Sequence, residues 1–167
     1  MTPQLRAQLI KAGAAGASAL AIAGILMVHH EGRRYVPYLD PAGVLTVCAG
    51  VTGPDVIRGK RYTPAECEAL ESKHLRVAKG AVQRQINTYA QLNRWQQAAL
   101  IDFAYNLGEG KLAGATMRKR FNAGDVVGGC NELVRWVKAR VGGELVTLRG
   151  LVTRRDNELD LCLHWTD

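Results

Sequence analysis

The sequence predicts a mostly helical α+β fold, in which a small antiparallel β lobe faces a larger helical lobe across a cleft. Short β-branched runs broken by Gly and Pro occupy residues 32–63, whereas apolar residues recur at helical spacing after residue 63. The chain has 167 residues, of which 47% are hydrophobic and 22% charged. This length and composition suit a domain with a buried core and exclude a disordered tail or a collagen.

The N-terminal segment is uncharged over residues 12–28, and no Asp or Glu precedes residue 31. A helix of this length spans roughly 26 Å, close to a hydrocarbon core of about 30 Å. Seven Ala and three Gly among its seventeen residues would hold it only weakly in a bilayer. We therefore predict a weakly held membrane anchor. Its basic flank, Arg6 and Lys11, would stay in the cytoplasm, and residue 29 onward would lie outside.

Two alternatives to an uncleaved anchor remain open for this segment. A cleaved signal peptide is the nearer one, because Ala19-Leu20-Ala21 and Ala21-Ile22-Ala23 both satisfy the small-x-small rule. The other is a buried Ala/Gly-rich helix of the globular domain.

The cysteines agree with export, since they are four in number and disulfides persist outside the cytoplasm. The sequence-local pairing joins Cys48 with Cys67 and Cys130 with Cys162, and four unpaired buried thiols are the alternative. No Cys-x-x-Cys spacing occurs, and the histidines have no ligand spacing with the cysteines, so we expect no metal.

The formal charge of +7 favours a polyanionic partner: nucleic acid, anionic lipid or an acidic cell-wall polymer. Aromatic residues make up only 6% of the chain, which gives little basis for stacking on bases. Export and disulfides also argue against nucleic acid.

The element boundaries follow from local signals. Strands are predicted at Tyr35–Tyr38, Val44–Val47 and Val51–Thr52, with a turn at residues 40–43. Thr63, Pro64 and Glu66 form a capping box that should open a helix running to about residue 86.

The rest of the chain is predicted to be helical. An apolar stripe from Trp95 to Leu107 predicts a helix that ends at Gly108, and a short helix is predicted over residues 116–121. Asp125 should cap a helix that carries Cys130, Leu133, Val134 and Trp136. A last helix is predicted over about residues 148–163. We expect the last helix to turn Leu151, Leu159 and Cys162 inward and Arg154, Arg155 and Asp156 outward.

Three residues carry the candidate chemistry. Glu31 follows the apolar segment, and apolar neighbours such as Met27 and Val28 favour a carboxyl group that holds a proton. Asp40 lies in a more hydrated turn and should stay ionised. Two carboxyl groups in different environments at one cleft suit glycoside hydrolysis, in which Thr46 could help to hold a water. By spacing alone, solvated surface carboxylates are the commoner interpretation.

The run from Glu31 to Val47 resembles the phage-type lysozymes, glycoside hydrolase family 24, whose motif is Glu, eight residues, Asp, five residues, Thr. Further segments resemble the family in the same order. They are Asp102–Gly108, Ala115-Thr116-Met117, Arg135-Trp136 and Gly150–Arg155. The likeness covers residues 31 to about 163 and implies the phage-lysozyme fold.

The resemblance implies a muramidase that hydrolyses the β-1,4 bond from N-acetylmuramic acid to N-acetylglucosamine in peptidoglycan, with inversion and with no metal or cofactor. By carry-over, Glu31 is the general acid, Asp40 orients or activates water, and Thr46 assists. Four further residues are expected to bind substrate: Tyr105, Asn106, Thr116 and Arg155. Core packing is the alternative for Tyr105, and a solvated helix face is the alternative for Arg155. Arg154 is a second candidate for the acidic peptide stems.

The chain departs from the family at Cys48 and Val51, which stand where a Gly and a structural His are common. The absence of this His puts one stabilising ion pair of the family in doubt. A Cys48–Cys67 bridge could replace it by joining the β lobe to the first long helix.

The segment over residues 12–28 looks like the signal-anchor-release segment of a subset of these endolysins. The resemblance divides the chain into a release segment, 1–30, and a catalytic domain, 31–167. We expect a monomer that is tethered to the host inner membrane, inactive there, and then released to the periplasm. Because no Cys precedes Cys48, control by refolding of residues around 16–31 is favoured over disulfide exchange. A lytic transglycosylase and a non-catalytic wall-binding protein remain the alternatives.

Overall fold

The computed structural model describes residues 1–40 and 43–166. The middle of the turn expected at residues 40–43 therefore lies outside the described residues. The helices are α1 (Pro3–Ala14), α2 (Ala19–Glu31), α3 (Pro64–Gln85), α4 (Arg94–Leu107), α5 (Glu109–Ala113), α6 (Thr116–Asn122), α7 (Val126–Asn131) and α8 (Arg149–His164). The strands are β1 (Arg34–Leu39), β2 (Leu45–Cys48), β3 (Val51–Thr52), β4 (Lys138–Val141) and β5 (Glu144–Thr147). This is the predicted α+β fold.

The uncharged N-terminal segment is divided between two helices. The chain turns between α1 and α2, where Gly16 has a φ of +72°, and the Ser18 hydroxyl then caps α2 by accepting from the Ala21 amide. In this conformation α2 packs against α4 and buries Leu26 and Met27. None of the described helices is both long enough and apolar enough to cross a membrane.

The β lobe is an antiparallel sheet of order β1-β2-β3, with Tyr38 opposite Thr46 and Thr46 opposite Thr52. A disulfide between Cys48 and Cys67 joins the end of β2 to the first turn of α3, as predicted. Cys48 adopts a φ of +56°, which is uncommon for a residue with a side chain. The bridge thus holds an unusual backbone at the point where the lobe meets the helices.

The helical lobe is built around α4, which is buried along most of its length and packs against α2, α3 and α8. The predicted capping box opens α3, since the Thr63 hydroxyl accepts from the Glu66 amide and the Glu66 carboxylate accepts from the Thr63 amide. The predicted disulfide between Cys130 and Cys162 joins α7 to α8.

The region after α7 differs from the prediction of one helix through Trp136. The helix ends at Asn131, a 3-10 turn follows at Leu133–Arg135, and β4 and β5 then form a hairpin. Gly142 and Gly143 form its two-residue turn, and both have positive φ, as the tight turns of two-residue hairpins require. The Gly-Gly pair was the signal in the sequence for this hairpin.

Candidate active site

Glu31 is the last residue of α2, and the backbone leaves the helix at Gly32, whose φ is +66°. Behind Glu31 the helix buries Met27, as expected. The carboxylate is nevertheless not in purely apolar surroundings, because it forms a short ion pair with the Arg154 guanidinium. The expectation of an apolar environment missed this partner, which comes from α8, far away in the sequence.

Arg154 bridges Glu31 and a second carboxylate, Asp102. Its Nε donates to Asp102 Oδ2 at 2.8 Å and its Nη2 to Oδ1 at 2.7 Å. Burial opposes the charge on Asp102, but the attraction of Arg154 outweighs it and lowers the pKa of Asp102 to about 2. The pair is buried, with side-chain exposures of 3% and 0%. A buried ion pair therefore orients the guanidinium that holds Glu31.

Arg155 was predicted to face outward and contact substrate, and this prediction is wrong. Its side chain is 0% exposed, lies over the Phe103 ring and donates from Nη2 to the Asn106 carboxamide at 2.9 Å. Glu158, one turn further along α8, is equally buried beside it. The outward expectation for Arg154 is wrong for the same reason, since each guanidinium has carboxylate partners in the interior, whereas Asp156 is exposed as expected.

Asp40 and Thr46 meet at the backbone of Val44. The Val44 amide donates to Asp40 Oδ1 at 2.8 Å, and the Thr46 hydroxyl donates to the Val44 carbonyl at 3.0 Å. Asp40 is partly exposed, whereas Thr46 is buried. The hairpin of β1 and β2 thus gathers two of the three predicted residues on one side of the lobe.

Glu31 meets the β lobe at Gly50. An added Cβ at Gly50 would lie 3.1 Å from the Glu31 carboxyl carbon, so a side chain there would press on the carboxylate. Next to this contact, the Tyr105 hydroxyl of α4 donates to the Ala49 carbonyl at 2.6 Å. Burial is the main cause of a raised pKa for Tyr105. The turn between β2 and β3 is therefore held against both Glu31 and α4.

A cavity of about 210 Å³ opens between this turn and the helices. Gly50 and Thr52 line it from the β lobe, and Tyr105 and Gly108 line it from α4 and its end. The cavity lies between the two lobes, but Glu31, Asp40 and Thr46 are not among its lining residues. Of the predicted substrate-binding residues, Tyr105 lies on the cavity, Asn106 is engaged by Arg155, and Thr116 is exposed at the start of α6, on a separate element.

Sequence reasoning missed the carboxylate Glu71, which lies close to the disulfide of Cys48 and Cys67. The cysteine sulfurs are bonded to each other, so this group offers no thiolate for a metal. Glu71 instead accepts from the amide of Ala49 at 3.1 Å, the residue whose carbonyl accepts from Tyr105. Asp102 was also missed, although a charged residue within the apolar stripe of a helix is a signal for a buried ion pair.

Comparisons with known proteins identify the family of the chain. The family model for phage lysozyme matches residues 28–158. A SAR-endolysin of Bacteriophage PS119 is 43% identical over 171 residues, which cover 98% of this chain and 96% of the relative. The active form of the P1 phage endolysin Lyz has a similar structure, with a TM-score of 0.75 and 28% identity over 95% of this chain and 93% of that chain. The muramidase domain of SpmX from Asticaccaulis excentricus has a TM-score of 0.76 and 27% identity over 84% and 94% of the two chains.

Proposed function

The chain belongs to the phage lysozyme family, and from that premise we propose that this phage endolysin, a lysozyme-type glycosidase, cleaves the β-1,4 bond between N-acetylmuramic acid and N-acetylglucosamine. The observation that carries the proposal is the contact of Glu31 with a turn of the β lobe, which also holds Thr46 on β2 and Asp40 in the turn after β1. Similarity to a muramidase domain supports the choice of bond.

In the proposed mechanism Glu31 delivers a proton to the glycosidic oxygen as the bond breaks. Asp40 orients or activates a water that attacks the anomeric carbon from the opposite face, which inverts the configuration. Thr46 assists through its hydroxyl, whose oxygen keeps lone pairs that can accept while it donates to Val44. The chemistry needs no metal and no cofactor, because the two carboxyl groups supply acid and base.

Hydrolysis of purified peptidoglycan by wild type, Glu31→Gln and Asp40→Asn tests this mechanism. We expect each variant to lose at least a hundredfold in rate, the usual contribution of a general acid or base. Reducing-end analysis separates the alternatives, since hydrolysis yields a free reducing sugar whereas a lytic transglycosylase yields a 1,6-anhydro product. Full activity of Glu31→Gln would contradict the assignment, and a wild type that binds the wall without cleaving it would leave a non-catalytic binding protein.

We further propose that residues 1–30 form a release segment and that residues 31–167 form the catalytic part. Helix α2 is apolar on all sides: one face packs on α4, and another faces a groove of about 940 Å³ between α2, α1 and α3. A helix of this kind suits either a bilayer or a protein core. While it spans the inner membrane, Glu31 would lie at the membrane face, away from Gly50 and the β lobe.

Substitution of Ala21 tests the release proposal, because this residue is exposed on α2 in the structure and central in the uncharged segment. A lysine there would cost about 3 kcal/mol in the bilayer but little in the soluble fold. We expect Ala21→Lys to be active in the periplasm without a delay, and the matched control Ala21→Leu to be held longer in proteoliposomes and inactive there. Equal activity of both variants in bilayer and solution would contradict membrane control while leaving the muramidase proposal intact.

A further inference from the structure

The ribbon of β4 and β5 carries a face that is cationic and exposed. Lys138 lies opposite Thr147 and Arg140 opposite Leu145, so alternation along the strands places these four side chains on one face. All four residues are exposed. The opposite face is different, since Ala139 and Val146 are half-buried there. Val141 and Glu144 complete that opposite face and are exposed, so the first face is the one that is exposed along its whole length without a half-buried residue.

The cationic face has no carboxylate within the ribbon. Glu144, which is the acidic residue of these two strands, pairs with Val141 and belongs to the opposite face. The Arg140 guanidinium is oriented by a hydrogen bond from Nη1 to the Gly143 carbonyl at 2.8 Å, which leaves its other donors available. Arg149 adds an exposed cation where the ribbon enters α8.

The base of the ribbon is tied to the helix that contacts Glu31. The Leu148 amide donates to the Val137 carbonyl at 2.9 Å, and the next residue begins α8. Arg154, which pairs with Glu31, follows Arg149 by roughly 7.5 Å along the helix axis. Helix α1 lies near the other end of α8, where Arg6 approaches Asp160 at 3.8 Å. The ribbon therefore lies at the active-site end of α8 and not at the end near the N-terminal segment.

We infer that the cationic face of the β4–β5 ribbon binds the carboxylates of the peptide stems that branch from the glycan strand. This inference rests on the proposed muramidase function and names a part of the substrate that the enzyme would recognise. An extended acidic peptide matches the charge and the flatness of a two-stranded ribbon. The arginines expected from sequence to do this, Arg154 and Arg155, are buried. The face has a single large apolar side chain, Leu145, rather than the apolar belt of a membrane-binding surface.

The double variant Lys138→Gln with Arg140→Gln tests the inference against a matched control, Arg76→Gln with Lys119→Gln, which removes two exposed cations from α3 and α6. Each protein is assayed on intact sacculi and on glycan strands from which an amidase has removed the stems. We expect the ribbon variant to lose about fivefold in kcat/KM on sacculi, through KM, because two screened charge contacts are lost. On stem-free strands the ribbon variant should have the kcat/KM of wild type, and the control variant should have the kcat/KM of wild type on both substrates.

An equal loss on both substrates, or no loss on sacculi, would overturn the inference. Reduced binding to anionic phosphatidylglycerol vesicles with unchanged cleavage of sacculi would also overturn it and assign the face to a membrane. Binding is measured without hydrolysis by sedimentation with sacculi, using the Glu31→Gln protein with and without the two ribbon substitutions. If wild type cleaves neither substrate, the muramidase proposal fails, but the sedimentation assay still tests the inference about the ribbon. Weaker binding of the ribbon variant to sacculi supports the inference, and binding equal to that of the Glu31→Gln protein overturns it.

Discussion

Arg33 and Glu71 form a two-point ion pair, in which Nε lies 3.0 Å from Oε1 and Nη2 lies 2.5 Å from Oε2. Arg33 follows Glu31 by two residues at the junction of α2 and β1, and Glu71 belongs to α3. The same Glu71 oxygen, Oε1, accepts from the Ala49 amide. One carboxylate therefore connects the end of the helix that carries Glu31 to the turn that touches Glu31.

Replacing Arg33 should be costly, because Glu71 is only 3% exposed and would remain as a buried charge without its cation. We expect Arg33→Gln to lower the free energy of unfolding by about 3 kcal/mol, measured by urea denaturation. Lys73→Gln is the matched control. Lys73 lies on α3 like Glu71, but its ion pair with Asp55 is exposed, so its loss should cost less than about 1 kcal/mol. Equal losses in the two variants would show that the Arg33 pair is no more than a surface contact.

Gly50 and Gly53 provide a paired test of the contact with Glu31. Both have a positive φ, +78° and +86°, so Ala at either position carries similar backbone strain. Only at Gly50 would the new Cβ meet Glu31, whereas nothing lies within 4 Å of the position at Gly53. We expect Gly50→Ala to lose at least tenfold more kcat on peptidoglycan than Gly53→Ala, at comparable loss of thermal stability. Similar rates for the two variants would remove Gly50 from the site.

Local signals explain what the sequence could predict. The capping box of Thr63 and Glu66 and the three strands of the β lobe depend on residues close together in the chain, and the structure confirms them. It also confirms the two disulfides, for which the pairing of neighbouring cysteines along the chain was predicted. The hairpin around Gly142 was also within reach of such reasoning, but the only element predicted on its N-terminal side was a helix that carries Trp136, and no strands were predicted before the last helix.

Partners from distant elements explain what sequence reasoning missed. Arg154 and Arg155 look like a solvated helix face until their partners on α4, Asp102 and Asn106, are seen beside them. The break at Gly16 was likewise missed, because an uncharged run of seventeen residues also fits one continuous helix.

We expect both disulfides to stabilise the fold, but only the Cys48–Cys67 bridge to affect the catalytic rate. Cys48 and Cys67 enclose a separation of 19 residues and Cys130 and Cys162 one of 32, so each should contribute roughly 3 to 4 kcal/mol to stability. Only the first borders the Ala49 turn. We expect Cys48→Ala with Cys67→Ala to reduce kcat at a temperature where the protein remains folded. Cys130→Ala with Cys162→Ala should lower the melting temperature but keep kcat. The reverse pattern would contradict a role of the first bridge in the site.

Histidine titration should make the protein less stable in mild acid. Burial lowers the pKa of His30 to about 4, and the nearby charge of Arg154 adds to this, while Asp102 opposes it. The unfolded chain, with a histidine pKa near 6.5, therefore binds more protons between about pH 6.5 and 4, so stability falls as the pH drops through this window. Allowing for partial exposure, we expect a loss of about 2 kcal/mol by urea denaturation at pH 4.5 relative to pH 7. His30→Gln should flatten this dependence, and His29→Gln, which replaces the exposed neighbour, should retain it. An unchanged slope in His30→Gln would place the acid sensitivity elsewhere, since the pKa of Asp102, about 2, lies below this range.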